Sequence, residues 1–225
     1  MLQWKTIDRV ATADGELELR QRGKRDYLIL IAGRVLMSST AFRSEEFLAV
    51  AACGLLAGRP APHVLIGGLG MGLTLRAALD ALPAQARVHV VELNGEVVRW
   101  CRGVLAPLCA EALADPRVEV EVADVAAVIA RAARDGVAYD AVVLDLFEGP
   151  HAATQAENDP FYGPEALSRS RAALRPDGVF AVWGEDPDRQ FEGRLGRTGF
   201  DFKRHLTGKG GRKHAVYIAR PRKIR

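Results

Sequence analysis

Cysteine is scarce in this sequence, which has three cysteines, Cys53, Cys101 and Cys109, among 225 residues. An odd number of cysteines without paired spacing argues against a disulfide framework and against a structural zinc site. The five histidines show no metal-ligand spacing either. We therefore predict no metal centre and place the three cysteines, which lie in Ala/Leu-rich segments, in the protein core.

Long apolar runs are also missing. No stretch approaches the ~20 residues of a transmembrane helix, and the opening MLQWKTIDRVATADGELELRQ contains no signal-peptide core. These two absences predict a cytoplasmic protein with no membrane partner. Because the sequence has neither a Gly-x-Ser-x-Gly nucleophile elbow nor a P-loop lysine, nothing supports a hydrolase or a kinase.

Acidic residues are absent from the last part of the chain, where residues 203–225 contain nine lysines and arginines. The remainder carries 28 acidic against 22 basic residues, so the net charge of +3 conceals an acidic body. A basic tail can bind nucleic acid, but a solvated terminal strand explains it equally simply. We do not expect a nucleic-acid partner, and keep a nucleic-acid methyltransferase only as an alternative.

Strand-like and helix-like segments alternate from residue 63 onward. Five segments resemble buried strands: HVLIGG, RVHVVEL, RVEVEVAD, YDAVVLDLF and GVFAVWG. Each of the first four is followed by a helical segment such as LTLRAALDAL. This order predicts right-handed βαβ units and an α/β fold with a doubly wound, mostly parallel sheet. DFKRHL and HAVYIAR then predict a C-terminal antiparallel hairpin, the usual ending of a class I methyltransferase-like Rossmann fold.

Short strands are predicted earlier in the chain, at residues 16–20, 27–31 and 34–37. A helix is predicted over residues 44–58, with Ser44 as its N-cap. We therefore divide the chain into a small N-terminal β module over residues 1–43 and a Rossmann-like, nucleoside-binding catalytic domain over residues 44–225.

Glycine is concentrated in GGLGMG, residues 67–72, between the first strand and the first helix of the alternating region. In a doubly wound sheet, ligands bind at the carboxyl ends of the strands, beside this turn. Glycine lets the backbone approach a ligand closely. We therefore predict that Gly67, Gly68 and Gly70 contact a ligand, the alternative being a tight turn alone.

Acidic residues end the next two strands. Glu92 is placed to accept hydrogen bonds from both hydroxyls of a ribose, and Asp124 is placed either to bind an adenine amino group or to cap the following helix. An adenosine-like ligand fits this combination. A dehydrogenase is a weaker alternative because the loop matches G-x-G-x-x-G poorly, and a non-catalytic nucleoside-binding protein is another.

Five stretches carry a family resemblance: VLIGGLGMGLTLRAAL, VHVVELNGEVV, DPRVEVEVADVAAVI, YDAVVLDLFEGP and FYGPEALSRSRAALRPDGVFAVW. In them the chain resembles the spermidine synthase family, and more closely the bacterial spermidine-synthase-like proteins. The resemblance implies a homodimer, a small amine as acceptor, and a donor site for S-adenosylmethionine or its decarboxylated form. The family's donor-binding positions correspond here to Gly67, Gly68, Gly70, Glu92 and Asp124.

The chain departs from the family pattern near the acceptor. The family's acidic residue in the glycine loop is Gly70 or Met71 here, its Asp-x-x-Asp-Pro motif is DLFEGP, residues 145–150, and a Tyr-His pair is Glu45-Glu46. These differences favour methyl transfer from S-adenosylmethionine, with aminopropyl transfer from the decarboxylated donor as the alternative.

Three residues are the predicted catalytic groups. An amine acceptor is protonated at neutral pH and has to lose a proton before it attacks. Asp145, at the end of the fourth strand, is predicted to anchor an amine, and Glu148 to act as the base. Tyr162 is predicted to donate a hydrogen bond to the acceptor, the alternative being helix-entry packing.

Overall fold

The computed structural model describes residues 2–151, 159–208 and 213–223 and contains two β-sheets. The smaller is a four-stranded antiparallel meander at the N-terminus, in the order β1-β2-β3-β4. Leu17, Leu19, Tyr27 and Ile29 of its two central strands belong to a buried apolar cluster. Its strands are β1 (Lys5–Thr12), β2 (Gly15–Arg22), β3 (Asp26–Ile31) and β4 (Arg34–Ser38).

The larger sheet has seven strands: β5 (His63–Gly67), β6 (Arg87–Glu92), β7 (Val118–Val122), β8 (Tyr139–Leu144), β9 (Leu174–Gly184), β10 (Phe200–Thr207) and β11 (His214–Pro221). Their order is β10-β11-β9-β8-β5-β6-β7, and β5 to β9 run parallel while β11 is antiparallel to both of its neighbours. The predicted class I methyltransferase-like fold with its C-terminal hairpin is confirmed.

Helices cover both faces of this sheet and produce two buried apolar clusters, one on each side. Val64 and Ile66 of β5 point into one cluster and Leu65 into the other, as the alternation of side chains along a strand requires. The helices are α1 (Arg43–Gly54), α2 (Leu73–Ala81), α3 (Gly95–Arg102), α4 (Val125–Asp135), α5 (Pro164–Ala172) and α6 (Arg189–Arg197).

Three sequence-based expectations about element bounds are wrong. Strand β1 was not expected, because KTIDRVAT carries no run of alternating apolar residues and most of its side chains are exposed or half-buried. Helix α1 begins after Phe42, so Ser44 lies inside it and does not cap it. Strand β10 begins at Phe200, one residue before the predicted strand DFKRHL, because the chain turns at Gly199, which has a φ of 83°.

The small sheet is attached to the larger unit by a polar contact at β1. Asp8 accepts a hydrogen bond from the indole nitrogen of Trp100 at 2.7 Å and forms an ion pair with Arg99, both on α3. Both contacts lower the pKa of Asp8, and the hydrogen bond from Trp100 has the larger effect. The division at residue 43 and a homodimer both stay predictions.

The basic C-terminal segment forms strands β10 and β11 where it is described. Two of its arginines are paired, Arg204 with Glu192 and Arg222 with Asp201. Lys209, Arg212 and Arg225 lie outside the described residues. Among the helices that are described, none combines the length and the hydropathy that a membrane crossing requires.

Candidate active site

The predicted site residues converge because of the strand register. Gly67 at the end of β5 pairs with Val91 of β6 on one side and with Leu144 of β8 on the other. The next residues, Glu92 and Asp145, therefore flank the glycine turn from opposite sides. Two hydrogen bonds of 2.9 Å fix the turn, from the Gly68 amide to the Val91 carbonyl and from the Asp145 amide to the Gly67 carbonyl.

The glycine turn has no room for side chains at two positions. Gly68 has a φ of 89°, and a Cβ on it would lie 2.2 Å from the carbonyl oxygen of Asp145. Gly70 has a φ of 52°, and a Cβ there would lie 2.6 Å from the sulfur of Met37. That sulfur accepts a hydrogen bond of 3.2 Å from the Met71 amide. Met37 of the small sheet therefore closes the place where the family pattern has an acidic side chain.

We predict that Gly68→Ala destabilises the protein by more than the Gly58→Ala control, as measured by thermal unfolding. Gly58 has a nearly identical φ of 91°, but a Cβ there meets no atom within 4 Å. The control therefore measures only the stability cost of placing alanine in a left-handed backbone conformation, which is about 1–2 kcal/mol. The additional loss in Gly68→Ala reports the collision with the Asp145 backbone. Equal losses in the two variants would show that this contact relaxes freely.

A cavity of about 380 Å³ opens above the turn. Its donor-side wall consists of residues that follow β5, β6 and β7, and its opposite wall includes Ile29, Leu36 and Met37 of the small sheet. Seven of the eight predicted site residues line it: Gly68, Gly70, Glu92, Asp124, Asp145, Glu148 and Tyr162. Gly67 does not line it; a Cβ at Gly67 would collide with Val125 and Leu144, so this glycine serves packing below the cavity.

Glu92 is a buried carboxylate that the glycine loop holds in place. The amides of Leu69 and Asn94 donate to its two oxygens, each at 2.9 Å. Burial raises the pKa of Glu92, and the hydrogen bonds from Asn94 and Leu69 partly oppose that rise. The amides of Gly70 and Leu93 also act on this carboxylate, which lines the cavity.

Asp124 serves as the N-cap of α4. Its Oδ1 accepts a hydrogen bond of 2.8 Å from the Ala126 amide. The residue also lines the cavity. Capping uses one lone pair of the carboxylate, so the structural explanation and an adenine contact are compatible.

Asp145 is half-buried at the end of β8 and lines the cavity. Thr74 of α2 donates a hydrogen bond to its Oδ2. Burial, followed by the nearby charge of Glu45, raises the pKa of Asp145 to about 7. A carboxyl group with this pKa exchanges a proton readily at neutral pH, which suits a general base.

Glu148 is held at the outer rim. Its backbone is left-handed, with a φ of 62°. Its carboxylate forms an ion pair with Arg34 from the start of β4 and lies 2.8 Å from Nε2 of His151. The Arg34 guanidinium also lies 5.0 Å from the centre of the Phe147 ring. The small sheet thus contacts the loop that carries the predicted base.

Tyr162 packs its ring against Phe191, edge to face with centroids 5.7 Å apart. Its hydroxyl and the indole nitrogen of Trp183 are buried without a hydrogen-bond partner in the part of the chain that is described. Both residues line the cavity. A buried polar group usually has a partner, so both donors suit a ligand in the cavity.

Two residues were not expected from the sequence: Trp183, which lines the cavity, and Arg34, which pairs with the lining residue Glu148. Trp183 follows Val182, which pairs with Leu144 in the neighbouring strand β8, so the strand-end argument that identified Asp145 also reaches it. No sequence signal identifies Arg34, since its contact depends on how the small sheet packs. Within residues 2–151, 159–208 and 213–223, no group of three potential ligands that could hold a metal ion is found.

Comparisons with known proteins agree with this geometry. A family model described as the spermine/spermidine synthase domain matches residues 45–192. The polyamine aminopropyltransferase 1 of Hyperthermus butylicus is 36% identical over 122 residues, which are 53% of this chain and 40% of that protein. The polyamine aminopropyltransferase of Bacillus subtilis is 28% identical over 186 residues, which are 81% of this chain and 62% of that protein.

A crystal structure of spermidine synthase from Thermotoga maritima has the same fold, with a TM-score of 0.75 at 18% sequence identity. The alignment covers 95% of this chain and 72% of that one. The matches to the two curated relatives span less than two thirds of the length of either protein.

Proposed function

This chain belongs to the spermine/spermidine synthase family, and from that premise we propose that it is an aminopropyltransferase. It would move the aminopropyl group of decarboxylated S-adenosylmethionine to a small amine. The observation that carries the proposal is the cavity in which Glu92 and Asp145 face each other across the glycine turn. The curated relatives, named polyamine aminopropyltransferases, favour this reaction over the methyl transfer that the altered acceptor residues had favoured.

The donor would be held on the Glu92 side of the cavity. The Glu92 carboxylate lines the cavity and would accept hydrogen bonds from ribose hydroxyls, and Asp124 fits an adenine amino group while still capping α4. Gly68 and Gly70 leave the backbone bare beside them. When bound, the sulfonium supplies an electrophilic carbon and a thioether leaving group.

Asp145 would bind the acceptor amine and take its proton. It lines the cavity, follows the adjacent strand, and has a pKa raised to about 7. The nitrogen–carbon bond forms as the carbon–sulfur bond breaks, sulfur keeps the electron pair, and the proton passes from nitrogen to Asp145. The Tyr162 hydroxyl oxygen would accept a hydrogen bond from the acceptor amine. Glu148 would serve mainly to bind Arg34 and His151, and less as the base.

Mass spectrometry of the products tests the proposal. The purified protein is incubated with 1,4-diaminobutane and either S-adenosylmethionine or its decarboxylated form. We expect 5′-methylthioadenosine and an aminopropylated amine with the decarboxylated donor only. S-adenosylhomocysteine together with a methylated amine would instead establish methyl transfer, and tight nucleoside binding without turnover would establish a non-catalytic binding protein.

Methyl transfer is the second candidate because one observation favours it. Aminopropyltransferases of the family carry an acidic residue in the glycine loop, and here Met37 closes that place against Gly70. The donor's amine therefore lacks that carboxylate. The two-donor experiment separates the candidates directly.

A further inference from the structure

The acceptor side of the cavity contains a second buried acid. Glu45 lies in the first turn of α1, lines the cavity and is 8% exposed. The Ser44 hydroxyl donates a hydrogen bond to its Oε2. Its charge acts on Asp145, which is half-buried and lines the same cavity. The two carboxylates therefore form one anionic pair at the inner end.

No lysine, arginine or histidine in the described part of the chain neutralises this pair. In the described ranges 2–151, 159–208 and 213–223, neither Glu45 nor Asp145 forms an ion pair with a lysine, arginine or histidine. By contrast, the outer carboxylate, Glu148, is paired with Arg34 and contacts His151. Two carboxylates that line one cavity without a counter-ion among the described residues favour binding a cation or a shared proton.

We propose that Glu45 and Asp145 together bind the ammonium group of the acceptor, so that Glu45 determines the preference for a cationic acceptor. An ammonium group has three donors, enough for one bond to each carboxylate and one to a further acceptor in the cavity. The bound ammonium first passes one proton to Asp145, which frees the nitrogen lone pair to attack the donor carbon, while Glu45 keeps the nitrogen in place. This inference rests on the proposed function and specifies its acceptor class.

The first test compares Glu45→Gln with Glu46→Gln, since Glu46 is the next residue of the same helical turn and is exposed. We expect the KM for 1,4-diaminobutane to rise about 10- to 100-fold in Glu45→Gln, as for loss of a charged hydrogen bond, and to change less than about twofold in Glu46→Gln. Glu45→Asp, which keeps the charge, should recover part of the affinity. An unchanged KM in a folded Glu45→Gln protein would overturn the proposal.

The pH profile separates an electrostatic role from a structural one. Two titratable groups interact with Asp145: Glu45 of α1, whose charge acts on it, and Tyr162, which precedes α5 and responds to it. Thr74 of α2 donates a hydrogen bond to Asp145. Because the Glu45 charge contributes to the raised pKa of Asp145, Glu45→Gln should move the acidic limb of kcat/KM to lower pH. A limb that stays in place contradicts the proposal.

A titration of the wild-type protein needs neither a variant nor turnover. The protein is saturated with 5′-methylthioadenosine and titrated with 1,4-diaminobutane near pH 7, in buffers of different ionisation enthalpy. Binding of an ammonium to the pair should release a fraction of a proton, and amine binding without proton release overturns the inference. If Glu45→Gln transfers the aminopropyl group with an unchanged KM, the inference fails and the proposed function stands. If the wild-type protein releases a proton on binding the amine but transfers no aminopropyl group, the proposed function fails and the inference stands.

Discussion

Replacing Asp145 with asparagine is expected to lower kcat by about 10²- to 10⁴-fold, the usual contribution of a general base. Asparagine has the same shape and can still accept the hydrogen bond from Thr74, but it cannot take a proton. Binding of 5′-methylthioadenosine should persist, because Glu92 holds the donor side. Single-turnover kinetics and calorimetry on the same preparation measure the two effects separately.

The matched control is Asp135→Asn, at the exposed end of α4. It should leave kcat within about twofold, as expected of an exposed carboxylate. If Asp145→Asn kept most of its activity while folded, Asp145 would be only an anchor, and Glu148 would regain its place as the candidate base.

The same variant should differ from wild type in the pH dependence of its stability. The raised pKa of Asp145, about 7, means that between pH 3.8 and 7 the folded protein holds a proton that the unfolded chain has lost. Stability of the wild type therefore falls as pH rises through this window, by about 1.4 kcal/mol for each unit of pKa difference. Asparagine removes this decline, so the variant should gain stability relative to wild type above pH 7 and lose that advantage near pH 4.

The sequence was sufficient to identify residues at the strand ends. In a parallel sheet the carboxyl ends of neighbouring strands lie at one edge, so Glu92, Asp124 and Asp145 could be placed together from the order of elements alone. The glycine loop was recognisable for the same reason, although Gly67 turned out to serve packing. The functional roles of these residues stay predictions.

What the sequence could not provide is the packing of the small sheet. The contacts from Arg34 to Glu148 and from Met37 to Gly70 join residues that are far apart in the chain. No periodicity reports such contacts, since they depend on the docking of one sheet against another. Glu45 was visible as a departure from the family pattern, but only its burial beside Asp145 gives that departure a chemical meaning.

Glu92→Gln is expected to weaken binding of 5′-methylthioadenosine by about 10²-fold or more, the combined effect of losing charged hydrogen bonds to two hydroxyls. Glutamine has a single acceptor oxygen, whereas Leu69 and Asn94 donate one hydrogen bond to each oxygen of the glutamate. One of these amides would therefore face an NH₂ group, which costs about 1–3 kcal/mol of folding free energy as well. Calorimetry measures the binding, and thermal unfolding without ligand measures the loss of stability.

The two effects of Glu92→Gln are distinguished by a control on the neighbouring strand. Glu119 of β7 is exposed, so Glu119→Gln changes the charge of the sheet in the same way without touching the cavity. If both variants bound the nucleoside equally well, the ribose would not lie on Glu92, and the donor site would have to be sought elsewhere in the cavity. A loss confined to Glu92→Gln, and larger than its loss of stability explains, requires a ligand hydroxyl on that carboxylate.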